Sequence, residues 1–399
     1  MRVAVLSPSV NRYRGTERAV AELVERLACT YHYEVHVYAH DVDDLTTSPY
    51  ARGSATAQGR IVWHRIRRIR GPHLIQFLYW MVANRVLRIW DRYVGRLVFG
   101  LVISPGINAL DADLILVHAV FHRLNELKAS RQEAGLRSLH RSLYYWLVCF
   151  LESRVYRQKG VCLTAVSRHT ADQLKRYFGR ADVAVIPNGV DTAHFSPEQR
   201  AALRQPARQQ FKFPAGDFVL LLVGNDLRNK GLPALLDAVG LCDDLPLRLC
   251  VLGGDAAYGA AEAAARGALR DRVEFFPETR EILPFYAAAD AYIAPSLEDS
   301  FNLPVLEAMA CGLPVIASVQ AGVSENIHDG ETGYLLREPQ NACELAGLVR
   351  KLFENASLRQ RLGDAASRYV QRNCTWDQNA ASTHGALLAT LSDRESGIN

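Results

Sequence analysis

The chain predicts an α/β protein made of two doubly wound, Rossmann-like parallel-sheet domains. Three observations carry this. Short apolar runs of strand length alternate with helical apolar periodicity from one end to the other. A turn-rich segment, Ile186-Pro187-Asn188-Gly189-Val190-Asp191, interrupts the alternation near the middle. The 399 residues, 49% apolar and 22% charged, suffice for two ordinary cores. The expected domains are 1–188 and 189–375.

In the first half, Val3–Leu6, Glu34–Ala39, Leu114–Val117, Val161–Val166 and Val183–Ile186 read as strands. Ala19, Val20, Leu23, Val24 and Leu27 mark a helix between the first two. In the second half the strands are Phe218–Val223, Leu247–Leu252, Val273–Phe276, Ala291–Ala294 and Val315–Ala317. In such sheets ligands bind beyond the carboxyl ends of the strands, so two facing domains place the site in a cleft. Asp111-Ala112-Asp113 looks like a metal-binding D-x-D, but it precedes a strand and lies at the wrong end of the sheet. No essential metal is expected.

The eight cysteines are scattered without a C-x-x-C pair, which speaks against a zinc site or a disulfide framework and suits a reducing compartment. The N-terminus runs straight into an apolar strand, and no stretch approaches ~20 uninterrupted apolar residues. A cytoplasmic protein is expected. Residues 1–190 hold 27 Lys and Arg against 15 Asp and Glu, the remainder 19 against 27. A basic first half suits an acidic partner: an anionic membrane, a phosphorylated acceptor or nucleic acid. Residues 60–98 concentrate this charge, with nine arginines and one acid, Asp91. Arg85, Arg88, Arg92 and Arg96 follow helical spacing and align on one face. Leu78, Val82, Val86, Ile89, Trp90, Tyr93 and Leu97 spread over a neighbouring face, and Trp63, Phe77, Tyr79 and Trp80 add aromatics. The pattern reads as a basic amphipathic surface for anionic lipid at the inner face of the cell membrane. The same pattern would arise from a helix packing its apolar side on a sheet.

The stretch Asp299-Ser300-Phe301-Asn302-Leu303-Pro304-Val305-Leu306-Glu307-Ala308-Met309-Ala310-Cys311-Gly312 follows the strand at Ala291–Ala294. Pro304 suits a first helical turn, and Gly312 stops the helix. Asp299 and Glu307 therefore flank a helix N-terminus. The N–H groups of Asn302, Leu303 and Val305 are expected to face a phosphate there, and Asn302 tolerates left-handed backbone. A carboxylate on the next turns accepts ribose hydroxyls. Anion cradle plus hydroxyl acceptor is the chemistry of a nucleotide-sugar site.

These residues resemble the signature of glycosyltransferase family 4, retaining enzymes of the GT-B fold, with Asp299 in place of the usual Glu and Asn302 in place of the usual Gly. The resemblance implies further roles. Ile186–Asp191 is similar to the family's domain hinge, and its last helix usually crosses back to the first domain, here from 376 to 399. Gly224–Gly231 resembles the diphosphate-binding loop, with Lys230 in the family's lysine position and Arg228 standing in for an arginine replaced by Asn225. Gly15-Thr16-Glu17-Arg18 resembles a donor-binding loop in which Thr16 can cap the helix. His118, after Leu114–Val117, matches a histidine that contacts sugar or acceptor; His122 is the weaker candidate.

The resulting expectation is a retaining glycosyltransferase. It would use a nucleoside-diphosphate sugar, UDP-sugar ahead of GDP-sugar, without cofactor or metal. The acceptor would be a hydroxyl of a glycan or lipid-linked molecule of the cell envelope, such as lipopolysaccharide. His118 and Asp299 would be catalytic, and Gly15, Thr16, Arg228, Lys230, Phe301, Asn302, Leu303 and Glu307 would hold the donor. Arg85, Arg88, Arg92 and Arg96 would meet the membrane or acceptor, and nucleic acid is no partner. Two alternatives stay open: a sugar-nucleotide epimerase of the same fold, and a non-catalytic nucleotide-binding scaffold. A nicotinamide dehydrogenase is unsupported, since no G-x-G-x-x-G follows the first strand.

Overall fold

A computed structural model describes residues 1–43, 45, 60–129, 136–269 and 271–396. The chain divides into two compact units, Met1–Pro187 with Trp376–Asn399, and Asn188–Thr375.

The strands of unit 1 are β1 (Arg2–Leu6), β2 (Ser9–Val10), β3 (Glu34–Ala39), β4 (Asp41–Val42), β5 (Arg60–Arg65), β6 (Leu101–Pro105), β7 (Leu114–Val117), β8 (Cys162–Ala165) and β9 (Ala184–Val185). Its helices are α1 (Gly15–Cys29), α2 (His73–Tyr93), α3 (Phe121–Ala129), α4 (Leu136–Tyr156), α5 (Arg168–Phe178) and α13 (Trp376–Glu395). Seven strands form a parallel sheet in the order β5-β3-β1-β6-β7-β8-β9, and β2 pairs with β4. Fully buried runs such as Val3–Leu6 and Leu114–Val117 fit a sheet covered on both faces. Helix α13 belongs to this unit. Trp376, Ala380 and Leu387 are buried, His384 stacks on Tyr31 at 4.1 Å, and Arg394 pairs with Asp113 at 3.1 Å.

Unit 2 contains α6 (Pro197–Gln210), β10 (Phe218–Val223), α7 (Leu232–Gly240), β11 (Leu247–Leu252), α8 (Ala256–Ala264), β12 (Val273–Phe276), α9 (Leu283–Ala288) and β13 (Ala291–Ala294). It continues through α10 (Leu303–Ala310), β14 (Val315–Ser318), β15 (Tyr334–Leu336), α11 (Ala342–Glu354) and α12 (Ala356–Asn373). Its parallel sheet runs β12-β11-β10-β13-β14-β15. Strand order reverses at β10, whose neighbours are β11 and β13. The loops after β10 and β13 therefore bound the topological switch point, where such sheets open a crevice.

The arginine-rich region departs from its sequence reading. Arg60 and Arg65 lie on β5, an edge strand whose polar ends hide it from apolar patterning. Arg88 is not on the surface. It is buried, donates to Asp111 at 2.8 and 3.1 Å, and reaches Asn84 Oδ1 at 3.2 Å. Arg96 lies beyond the helix, in the left-handed region (φ 51°) of a turn closed by Leu97 N–H on the Asp91 carbonyl (3.0 Å). Trp80 is buried too, its indole N–H on the Asn108 carbonyl at 3.0 Å. The inward face of α2 is thus Trp80, Asn84, Arg88 and Asp91. Asp91 accepts from Tyr38 (2.7 Å) and meets His64 (2.9 Å), which meets His36 (2.8 Å). The outward face carries Leu78, Val82, Val86, Ile89, Trp90 and Tyr93, all exposed, between Arg85 and Arg92. No helix among the described residues is long and apolar enough to cross a membrane.

Candidate active site

A polar constellation built from two loops sits at the switch point of unit 2. The loop after β10 delivers Lys230, and the loop after β13 delivers Asp299; Nζ and Oδ2 stand 2.6 Å apart, each side chain about one-sixth exposed. The two loops are stitched by backbone and amide bonds: Asn229 Nδ2 donates to the Glu298 carbonyl (2.7 Å) and Leu297 N–H to the Asn229 carbonyl (2.8 Å). Gly231 is left-handed (φ 79°), and a Cβ there would lie 1.9 Å from the Pro295 carbonyl oxygen. Only glycine permits that approach, which sets how closely the two loops meet.

Helix α10 starts at this pair. Asn302 is its N-cap in the left-handed region (φ 75°) and makes no side-chain cap. Its Nδ2 donates to Ser296 Oγ (3.2 Å), while Oδ1 is buried without a partner among the described residues. Asp299 Oδ1 accepts from Phe301 N–H (3.1 Å), and the Phe301 carbonyl accepts from Val323 N–H (2.7 Å). Phe301 and Leu303 are buried anchors of the turn. One expected donor is withdrawn: Val305 N–H bonds the Asn302 carbonyl (3.1 Å). With proline at 304, the donors that this first turn can offer an anion are those of Asn302 and Leu303.

Glu307 points into the protein. It is 2% exposed, and Oε2 accepts from the Tyr286 hydroxyl at 2.7 Å. Burial first, and then the Glu307 charge, hold the Tyr286 hydroxyl protonated, its pKa well above the usual phenol value. Tyr286, on α9, is a site partner that sequence reading missed; nothing in the spacing from 286 to 307 signals it.

Arg228 does not join Lys230 in the described contacts. It is exposed, its guanidinium lying 5.4 Å over the Tyr258 ring on α8. Asn225, in the position of the family arginine, instead ties two loops together by accepting from Gly254 N–H (2.9 Å).

In unit 1, Gly15 opens α1, but Thr16 does not cap it. The N-cap is Arg14, whose side chain does not cap the helix, and Thr16 is already inside it. His118 follows β7, half-buried, with Nδ1 3.1 Å from the Leu116 carbonyl. That bond places the proton on Nδ1 and leaves Nε2 as acceptor. Burial lowers the imidazole pKa to about 4, outweighing the Leu116 bond, so the ring is neutral at physiological pH. His122 is fully engaged, with Glu152 at 2.9 Å and Ser153 at 3.1 Å. Glu152 also accepts the N–H groups of Phe121 and His122 and so caps α3. With Cys149 these two form the one His/Cys/carboxylate group within metal-ligand reach among the described residues. Both oxygens of Glu152 already serve the cap. Asp111 and Asp113 serve Arg88, Arg394 and the Val102 N–H.

Two parallel doubly wound units, the second with a basic and an acidic loop meeting at its switch point, define the GT-B architecture. The chain belongs to glycosyltransferase family 4. Residues 13–194 match the family described as Glycosyltransferase Family 4, and residues 204–369 match Glycosyl transferases group 1. It is similar to the D-inositol 3-phosphate glycosyltransferase of Pseudarthrobacter chlorophenolicus, 33% identical over 258 residues covering 62% of this chain and 59% of that one. The Salinispora tropica enzyme of the same name is 30% identical over 66% of this chain and 56% of its own. The chain thus spans a little over half the length of the curated relatives it matches. Among solved structures it shares its fold with WaaG, described as a glycosyltransferase involved in lipopolysaccharide biosynthesis (TM-score 0.73, 19% identity, 95% and 98% coverage). HepE from Anabaena, solved in complex with UDP-glucose, is similar too (TM-score 0.70, 18% identity, 98% and 100% coverage).

Proposed function

We propose that this protein transfers a sugar from a nucleoside-diphosphate sugar to a hydroxyl of a glycan or lipid-linked acceptor, with retention and without a metal. The observation that carries the reading is the Lys230–Asp299 pair at the N-terminus of α10. A diphosphate entering there meets an ammonium and the N–H groups of Asn302 and Leu303. Lys230 exchanges its bond to Asp299 for the phosphate, which frees Asp299 for a hydroxyl of the sugar. As the glycosidic bond breaks, the charge growing on the departing diphosphate strengthens its bond to Lys230. That departing phosphate can take the proton of an acceptor attacking from the same face, which retains configuration. Glu307, oriented by Tyr286, takes the ribose hydroxyls. The neutral His118 offers Nε2 to a sugar hydroxyl, and Gly15 and Thr16 present the start of α1.

Lys230→Ala tests the reading. Turnover should drop about a hundredfold, with a much smaller change in donor affinity. A change confined to KM would contradict the role of Lys230 in charge stabilisation. Activity should survive a chelator. A thermal-shift screen of UDP- and GDP-sugars decides the base, with UDP expected to give the larger shift.

The same reading seats α2 and α4 on an anionic membrane, at its cytoplasmic face. Besides the outward face of α2, helix α4 exposes Leu143, Trp146 and Phe150, with Arg141 and Arg154 beside them. The carboxylates of the two helices, Asp91 and Glu152, are turned inward. Apolar and aromatic groups flanked by arginines, with no exposed acid, match an anionic lipid surface. Vesicle co-sedimentation should fall as salt rises.

A further inference from the structure

The amino ends of the strands in unit 2 hold a second, separate polar cavity of about 350 Å³. Asp290, directly before β13, and Gly312 and Pro314, directly before β14, line one side. The first turns of α6 and α12 line the other, beginning at Pro197 and Ala356. Two helix N-termini, each with partial positive charge, therefore converge on one cavity.

Three guanidinium groups add to that field: Arg200, Arg204 and Arg359. Asp290 is the one carboxylate in the lining, and it is shared. It accepts from Arg204 (2.5 Å), Arg208 (3.1 Å) and the Val219 N–H (2.8 Å). Arg359 is held by the Leu352 and Phe353 carbonyls and lies 5.2 Å over the Phe218 ring. Arg200 donates to the Ala289 carbonyl (3.0 Å), but no carboxylate lies within ion-pair distance among the described residues, and its Nε is buried without a partner. Burial and the neighbouring Arg204 lower its pKa to about 10. Asp290 opposes that shift only from beyond ion-pair distance, so a half-buried guanidinium with a buried, unpartnered Nε is better satisfied when an anion is present.

We propose that this cavity is a second phosphate-binding site, taking a small phosphorylated metabolite. Arg200 from α6 and Arg359 from α12 would grip the phosphate together, with the N–H groups of Ala356 and Ser357 at the start of α12. Leu358 N–H is already taken by the Asn355 cap at 2.9 Å, so those two are the donors left at that end. The volume admits a phosphate with a small organic group and falls at the low end for ligand pockets. The site is distinct from the switch point. Helix α10 runs from its N-cap Asn302 toward Gly312 in the cavity wall, and its eight residues, ~12 Å long, separate the two.

The test uses the full chain carrying Lys230→Ala, which weakens phosphate binding at the switch point. Calorimetric titration with inorganic phosphate and with pyrophosphate should show one saturable site. Adding Arg200→Met or Arg359→Gln should weaken that binding at least tenfold. Arg200→Met also removes a charge that no carboxylate pairs directly while keeping an apolar stem, so the unliganded melting temperature should hold or rise while the phosphate-induced shift disappears. Absence of saturable binding to the Lys230→Ala protein would overturn the proposal. So would binding that survives Arg200→Met. Neither result bears on glycosyl transfer, which rests on Lys230 in an otherwise unaltered chain.

Discussion

Helices α10 and α2 relate to their surroundings in opposite ways. Helix α10 buries seven of its eight residues, a carboxylate among them; α2 buries three of twenty-one, and two of the three are Asn84 and Arg88. In α10, Glu307 is carried inward by an otherwise apolar helix and satisfied there by Tyr286. In α2 the polar residues fasten the helix to the sheet, and the apolar ones face outward. Amphipathicity shows that a helix has two faces; which one turns inward depends on what the neighbouring elements offer as partners.

The contrast breaks first at Glu307. Glu307→Ala should cost about 3 kcal/mol of stability, from lost packing and from the lost bond to the Tyr286 hydroxyl, which is left with the Pro304 carbonyl at 3.2 Å. It should also weaken the nucleotide sugar by about 1.5–3 kcal/mol, the range for bonds to a charged group. Urea denaturation and calorimetry measure the two separately, and an unchanged donor affinity would remove Glu307 from the site. Arg88→Ala comes next. Its partner Asp111 is partly exposed, so the loss should be about 2 kcal/mol, below that of a fully buried pair. A loss within 0.5 kcal/mol would mean that α2 is not fastened through Arg88.

His118 sharpens the comparison by pH. Its folded pKa of about 4 lies below the ~6.5 of the unfolded chain. Between those values the unfolded chain takes up a proton that the folded one refuses. Stability should therefore decline as pH drops from about 6.5 toward 4, and His118→Gln should flatten that decline in denaturation at pH 7 and pH 5. The smallest effect belongs to the outward face. Changing Val82, Val86 and Ile89 together to Ser should alter stability by less than about 1 kcal/mol, since their surroundings are already solvent. Vesicle binding should nevertheless fall severalfold. A large loss of stability would show that this face is packed rather than exposed.

Most strands of both sheets were legible because burial on both faces made their runs apolar, as in Phe218–Val223; the buried central strand β6, which ends in Ser104-Pro105, and the three-residue edge strand β15 were not legible. Edge strand β5 was not, because its ends are arginines. The spacing of Asp299, Asn302 and Glu307 gave the turn and helix at the switch point. It could not give Tyr286, which reaches Glu307 from another helix, nor the Val305 bond that withdraws a donor. The alignment of Arg85, Arg88, Arg92 and Arg96 failed at two positions for separate reasons. Arg88 found Asp111, 23 residues away, and the chain left the helix before Arg96.

Helix α13 gives the chain a timetable. Unit 2 is one continuous segment, Asn188–Thr375, whereas unit 1 is completed by residues that leave the ribosome only after all of unit 2. Until then Tyr31 lacks its stack on His384, and Arg26 and Asp113 lack Asp377 and Arg394. The domain that begins first is thus finished last, and a nascent chain halted before Trp376 presents a sheet with one flank uncovered, a state suited to capture by a chaperone.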